Sequence, residues 1–261
     1  MKYFDSHAHY YDERFESEMT ETVDELIDGL MSRGVSYIVN IGTSPETSRA
    51  AIAQAKKHSN MYTAIGIHPS DCRFLFDIES ELAEIRELIL DKSNKCVLLG
   101  EIGLDYHYPD TDKAKQRLYF ERQMSLAEQL DIPVCIHDRE SHADVLEVLR
   151  AFPRVRGILH SFSGSVEMAL ELVKMGYMIS FSGTLTFTNA RKPKEVALAI
   201  PRECALIETD CPYLAPHPLR GTLNHSGNLC YTNATLAAIW GISEEECARI
   251  TESNARRFLG I

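Results

Sequence analysis

The sequence predicts a single (β/α)8 TIM barrel over residues 1–261, with a metal site at the carboxyl ends of its strands. Three observations lead there. Short apolar segments rich in Val, Ile and Leu alternate eight times with amphipathic stretches, the pattern of parallel strands buried on both faces. The spacing is even, and no linker-like or low-complexity segment divides the chain. An open doubly wound sheet, the alternative, would carry a Gly-rich phosphate loop after its first strand, where this chain has His7-Ala8-His9-Tyr10-Tyr11.

The first strand covers residues 1–9 and ends in His7-Ala8-His9. A helix follows from Glu16 to Arg33, with Met19, Val23, Leu26, Ile27 and Leu30 at helical spacing and Gly34 as its stop. The second strand is 35–43. Ser44 then caps a helix that starts at Pro45 and runs to Lys57. The third strand, 61–69, precedes a helix over Ile78 to Leu90. The fourth, 95–106, leads to a long helix from Lys113 to Leu130, and the fifth, 132–138, to one from Ser141 to Phe152. The sixth strand is 156–162, followed by a helix from Ser165 to Met175. The seventh is 176–183, with a helix beginning near Pro193. The eighth is 203–214. Three further helical stretches are expected at Thr232 to Trp240, Ser243 to Ile250, and onward to Leu259.

The 44% apolar and 25% charged content is that of a globular protein with a sizeable core. No apolar run approaches a membrane span, and the N-terminus carries no secretory pattern. Met1 leads at once into a strand, so no tag or propeptide is expected. The seven cysteines are odd in number, scattered and without a C-x-x-C pair; they read as reduced, mostly buried thiols of a cytoplasmic protein. A net charge of -11 argues against tracking along duplex nucleic acid. It does not argue against cutting a phosphodiester by local contact through metal ions and a few basic residues.

Active sites of such barrels lie where the carboxyl ends of the strands converge. Those ends carry His7 and His9, His68, Glu101, His137, His160, and Glu208-Thr209-Asp210 on strands one, three, four, five, six and eight. Imidazoles and carboxylates at a half-buried rim cost desolvation unless they are paired or ligate an ion. His7 and His9 alone mean little. Together the set exceeds one tetrahedral site and suits two ions bridged by a carboxylate, with Glu101 or Asp210 as the bridge.

The segments Phe4-Asp5-Ser6-His7-Ala8-His9, Gly66-Ile67-His68-Pro69, Gly100-Glu101-Ile102-Gly103-Leu104-Asp105-Tyr106, Ile136-His137-Asp138-Arg139, Leu159-His160-Ser161-Phe162-Ser163-Gly164 and Glu208-Thr209-Asp210-Cys211-Pro212-Tyr213-Leu214 resemble, in order, the signature segments of the TatD family of metal-dependent hydrolases. The resemblance spans nearly the whole chain. It implies a barrel, two divalent cations (Zn, Mn or Mg) and deoxyribonuclease-type activity on DNA, single strands or ends. It further implies that His7, His9, Glu101 and Asp210 hold one ion, and that Glu101, His137 and His160 hold the other. Asp210 would orient or deprotonate the attacking water. Glu101, at the position where many members of the wider amidohydrolase superfamily bridge with a carboxylated Lys, points away from those branches. One departure stands out: members often carry Arg-Gly-x-x-Asn-Glu-Pro, and here Arg220-Gly221-Thr222-Leu223-Asn224-His225-Ser226 lacks the Glu and Pro.

Around this set, His68 is expected to contact a phosphate or assist as a general acid. Arg139 is expected to fork onto a phosphate, or to pair with Glu101 or Glu140. Glu208 and Ser163 are further candidate substrate contacts, Glu208 alternatively orienting a ligand. Asp105 and Tyr106 line the cleft or cap a loop, His217 sits near the mouth, and His58, His107, His142 and His225 read as solvated surface. Two other functions fit the same residues: hydrolysis of a small amide, ester or lactone by the same centre, and a binding protein with a vestigial site. No obligate protein partner and no membrane association are expected.

Overall fold

All eight predicted strands form and pair in chain order, every pair parallel. The computed structural model describes residues 1–261. The strands are β1 (Tyr3–Ala8), β2 (Val35–Ile41), β3 (Met61–Ile65), β4 (Cys96–Asp105), β5 (Val134–Arg139), β6 (Gly157–Leu159), β7 (Met178–Phe181) and β8 (Ala205–Ile207). The sheet returns on itself past the end of β8. Asp210 N–H donates to His7 C=O at 2.9 Å and His9 N–H to Cys211 C=O at 2.8 Å, with Ala8 bridging Cys211. This sequential order with closure is a (β/α)8 barrel. An open sheet would show a reversal of strand order.

The helices are α1 (Glu13–Glu18), α2 (Val23–Ser32), α3 (Pro45–Lys57), α4 (Ile78–Leu90), α5 (Lys113–Leu130), α6 (His142–Ala151), α7 (Val166–Lys174), α8 (Arg191–Ala199), α9 (Leu229–Trp240) and α10 (Glu244–Leu259). Three expectations need correction. The helix expected over Glu16 to Arg33 is two, because Thr22 and Glu25 form a reciprocal capping box that starts α2 afresh. The two final helices are one: Thr251 Oγ1 bonds back to Cys247 C=O, and Asn254 donates to the carbonyls of Arg202 and Ala205, so the polar run lies inside α10. α9 begins three residues earlier than expected, at Leu229, and Pro193 sits in the first turn of α8, where its missing N–H costs nothing. Gly34, past the end of α2, has φ +108°, and a side chain there would also strike Met1 C=O.

Two layers of core hold the site in place. Between sheet and helices lies a large cluster that includes Ile65, Leu99, Ile136, Phe120 and Leu236. Inside the barrel, Phe4, Val39, Leu98, Cys135, Ile158 and Leu206 fill the lower half, and Ala255 and Phe258 of α10 close it from below. Each such fully buried aliphatic side chain stabilises by roughly 1.5–3 kcal/mol. The upper half is left to polar groups. Four of the seven cysteines are buried, and all are free.

Candidate metal centre

Glu101, near the middle of β4, is buried, and its two carboxylate oxygens face two different groups of imidazoles. Oε2 lies 3.3 Å from His7 Nε2 and 3.7 Å from His9 Nε2. Oε1 lies 2.8 Å from His137 Nδ1 and 3.0 Å from His160 Nε2. Asp210 closes the first group: its Oδ1 is 3.5 Å from His7 Nε2 and 3.3 Å from His9 Nε2. The His160 ring stacks on that of His7 at 4.1 Å, so the two groups share a wall. All six residues expected to ligate ions are brought together.

The remote ring nitrogens decide what each imidazole offers. His9 Nδ1 lies 2.8 Å from the carbonyl of Ile41, which can only accept, so Nδ1 carries the proton and Nε2 presents a lone pair. His160 Nδ1 faces Glu208 Oε1 at 3.1 Å, leaving its Nε2 as a lone pair. His137 Nε2 faces Asp105 Oδ2 at 3.2 Å, leaving Nδ1. His7 Nδ1 lies 3.3 Å from Cys135 Sγ. Lone pairs therefore converge: His7 and His9 Nε2 are 3.0 Å apart, and His137 Nδ1 and His160 Nε2 are 3.1 Å apart, all around carboxylate oxygens. Acceptors this close repel unless cations lie among them, so this donor set fits divalent ions.

Without metal, protons take that place. Burial opposes charge on His160, yet Glu101 and Glu208 hold its proton well above the ordinary histidine value. His137 is raised despite burial by Asp105 and Glu101, and His9 despite burial by Asp210. Burial and the His160 charge lower His7. Burial would raise Glu101 and Asp210, but the surrounding imidazoles hold both below the usual carboxylate range, Glu101 far below it.

His68 behaves differently. Its Nδ1 accepts the backbone N–H of Ser70 at 3.1 Å and lies 2.6 Å from the Ser70 hydroxyl, so Nε2 bears the hydrogen. That Nε2–H faces Glu101 Oε1 at 3.5 Å. Burial pushes its pKa down to about 3. His68 is thus a neutral imidazole with an N–H directed into the site, an arrangement that suits the expected phosphate contact.

The remaining candidates separate clearly. Arg139 lines the bowl above the centre and is half exposed; its partner is Asp105 at 4.0 Å, where Glu101 or Glu140 was expected. Glu208 is fully buried, accepts Ser161 N–H at 2.7 Å and faces His160, so it orients a ligand and touches no substrate. Ser163 is exposed and stands outside the bowl. Tyr106 is occupied with Asp144 at 2.7 Å. His58, expected on the surface, is buried between Asp24 and Asp28. His142 and His225 are partly buried, and His107 is exposed.

Asp5 is the residue whose role the sequence reading missed. Fully buried, its carboxylate accepts Thr209 N–H at 2.9 Å, Thr209 Oγ1–H at 2.6 Å, Ser226 Oγ–H at 2.7 Å and His7 N–H at 3.3 Å. Burial pushes its pKa up to about 6 against these four bonds. Ser226 also lies 2.7 Å from the Tyr10 hydroxyl. The clasp ties His7 and Asp210 to the loop that departs from the usual motif; the only signal was Asp5 standing two residues before His7.

Comparison with known proteins agrees with this geometry. Residues 4–260 match the family model described as TatD related DNase. The chain is 38% identical over 260 residues to YabD of Bacillus subtilis, described as an uncharacterized metal-dependent hydrolase, covering 99% of each chain. It is 36% identical over 247 residues to TatD of Mycobacterium tuberculosis, described likewise, covering 92% of each. The crystal structure of YjjV, a TatD homologue from Escherichia coli K12, superposes with a TM-score of 0.89 at 26% identity, over 99% of this chain and 98% of that one. The lone pairs gathered around Glu101 and the likeness along the whole chain agree: this chain is a metal-dependent hydrolase of the TatD family.

Proposed function

We propose that the enzyme hydrolyses DNA phosphodiester bonds, at single strands or ends, with two divalent cations (Zn, Mn or Mg). The observation that carries this reading is the split of Glu101, one oxygen to each group of imidazoles, which supports the expected ligand sets of His7, His9, Glu101 and Asp210 for one ion and Glu101, His137 and His160 for the other. Such ions, when bound, polarise a phosphoryl oxygen and make water a nucleophile at neutral pH.

The chain's own residues do the rest. Asp210, kept ionised, accepts the proton of the attacking water. The water oxygen bonds to phosphorus, the P–O ester bond breaks, and the proton held by Asp210 passes through solvent water to the leaving oxygen, which restores the Asp210 carboxylate. His68 Nε2–H donates to a phosphoryl oxygen as charge grows on it, with no proton lost. Arg139, at the bowl wall, supplies a guanidinium for a neighbouring phosphate. Arg73, Lys115 and Arg139 line the bowl among the carboxylates of Asp12, Asp71, Asp105, Asp110 and Asp112, so a phosphodiester would be met by these three local cations and the metal ions, with no help from the net charge of the lining.

The test is to incubate end-labelled single-stranded DNA with the enzyme and Mg²⁺, Mn²⁺ or Zn²⁺. Shortened products that vanish with chelator are expected. Turnover of small cyclic amides with intact DNA under every metal would overturn the reading.

A further inference from the structure

The bowl above the centre has a volume of about 740 Å³. Three cations line it, and each leans on an exposed aromatic ring. Arg73 stands 4.5 Å from the centroid of Phe74, Lys115 4.9 Å from Phe76 and Arg139 5.8 Å from Tyr108. The rings are 63%, 88% and 53% exposed, among the most exposed large apolar side chains of the molecule. They sit on two neighbouring loops, after β3 and after β4; Tyr108 lines the bowl itself, and Phe74 and Phe76 stand outside its lining beside Arg73 and Lys115, which do line it.

Core packing does not explain these rings, since they face water. The cations also have protein partners, Lys115 Nζ donating to Leu75 C=O at 2.7 Å and Arg139 lying 4.0 Å from Asp105, and these contacts hold them at the ring faces. A duplex hides its base faces and so offers these rings nothing to stack on. A single strand offers both features this group can take: unstacked π-faces for the rings and phosphates for the cations.

We propose that Phe74, Phe76 and Tyr108, with Arg73, Lys115 and Arg139, form a stacking platform that holds the bases of a single-stranded polynucleotide as it leaves the metal centre. The platform rests on the phosphodiesterase reading and determines specificity within it. Bases stack on the rings, and the cations, already held over the ring faces, meet the backbone between them. Stacking is tolerant of sequence, so little base preference is expected.

The experiment uses the metal-loaded enzyme and bis(p-nitrophenyl) phosphate as a chromogenic small diester, with a short oligothymidylate as competitor. The oligonucleotide should inhibit, and a blunt duplex of equal length should inhibit far less. Tyr108→Ala and Phe74→Ala should each raise the inhibition constant of the single strand roughly five- to hundredfold, the worth of one stacked base. Leu90→Ala, an exposed apolar side chain at the far end of α4, should leave it unchanged. Inhibition equal for strand and duplex, or unmoved in both ring variants, would sink the platform alone. An enzyme that turns over neither the small diester nor DNA would sink the phosphodiesterase reading beneath it.

Discussion

Glu208 Oε1 lies 3.1 Å from Nδ1 of His160, and the same oxygen accepts the backbone N–H of Ser161, which holds a left-handed φ of +42°. A buried carboxylate thus sets the tautomer of one imidazole and steadies the turn that carries it. Glu208→Ala should lower metal affinity roughly 10- to 100-fold, the usual effect of losing the partner of a ligating histidine. Glu208→Gln, whose carbonyl can still accept both bonds, should lose less. Metal retained after dialysis against graded chelator separates the two, and equal losses would argue against the orienting role.

Glu101 faces both imidazole groups, so in the proposed two-ion centre its charge would serve both ions. Glu101→Gln should leave the protein folded yet lower kcat by at least roughly 10²–10³-fold. Elemental analysis should show fewer than two ions per chain. Two ions retained in Glu101→Gln would contradict a bridging role.

His68 donates a hydrogen to the site and offers it no lone pair. His68→Asn should therefore keep the wild-type metal content while kcat falls roughly 10²-fold, about the loss seen when one preorganised donor is removed. Because burial holds His68 neutral down to about pH 3, its role adds no ionisation near pH 6.5. A limb of the kcat profile at that pH that disappears in His68→Asn would refute the neutral-donor assignment.

Protons and cations compete for the same imidazoles. His160 holds its proton above the ordinary histidine value in the metal-free protein. That proton's contribution to stability is complete below about pH 6.5 and fades as pH rises through the raised folded value. Glu101 and Asp210 act in the opposite sense: their contribution is present above about pH 4 and fades as pH falls through their depressed values. Metal must displace the His160 proton, so apparent affinity should keep rising above pH 6.5. Calorimetry in buffers of different ionisation enthalpy should register proton release on binding. Affinity flat between about pH 5.5 and 8.5 would count against imidazole ligation.

Ser226 lies in the loop after the last signature segment, and its hydroxyl donates to Asp5 at 2.7 Å. Ser226→Ala leaves Asp5 with one bond fewer in a fully buried position. The cost should be roughly 1–3 kcal/mol, read as a fall in Tm of about 2–4 °C per kcal/mol. An unchanged Tm would show that the remaining three donors suffice.

How much of this was legible beforehand follows from what each feature depends on. The barrel and the six ligands were readable because ligand types recur at strand ends in sequence order, and strand periodicity sends His7 and His9 to one side. The break before α2 was readable too, in Thr22 and Glu25, but the apolar spacing of Met19 and Val23 masked it. The tautomer of His68 was not, because it rests on the backbone N–H of Ser70. Nor was the inward turn of Glu208, since a residue two before Asp210 can face substrate or core equally by periodicity. The clasp on Asp5 joins residues 204 and 221 positions apart, a separation that no local pattern reports.

That clasp and the backbone bonds between His7 and Asp210 bear on synthesis. A ribosome makes His7 and His9 well before Asp210, and the loop that pins Asp5 later still. Until then the first strand has no neighbour on one side, and its two histidines have no carboxylate from the eighth. A chain cut short before the eighth strand contains Glu101, His137 and His160 but lacks Asp210 and the loop that pins Asp5. The set of His7, His9, Glu101 and Asp210 is therefore complete only once the eighth strand has closed on the first.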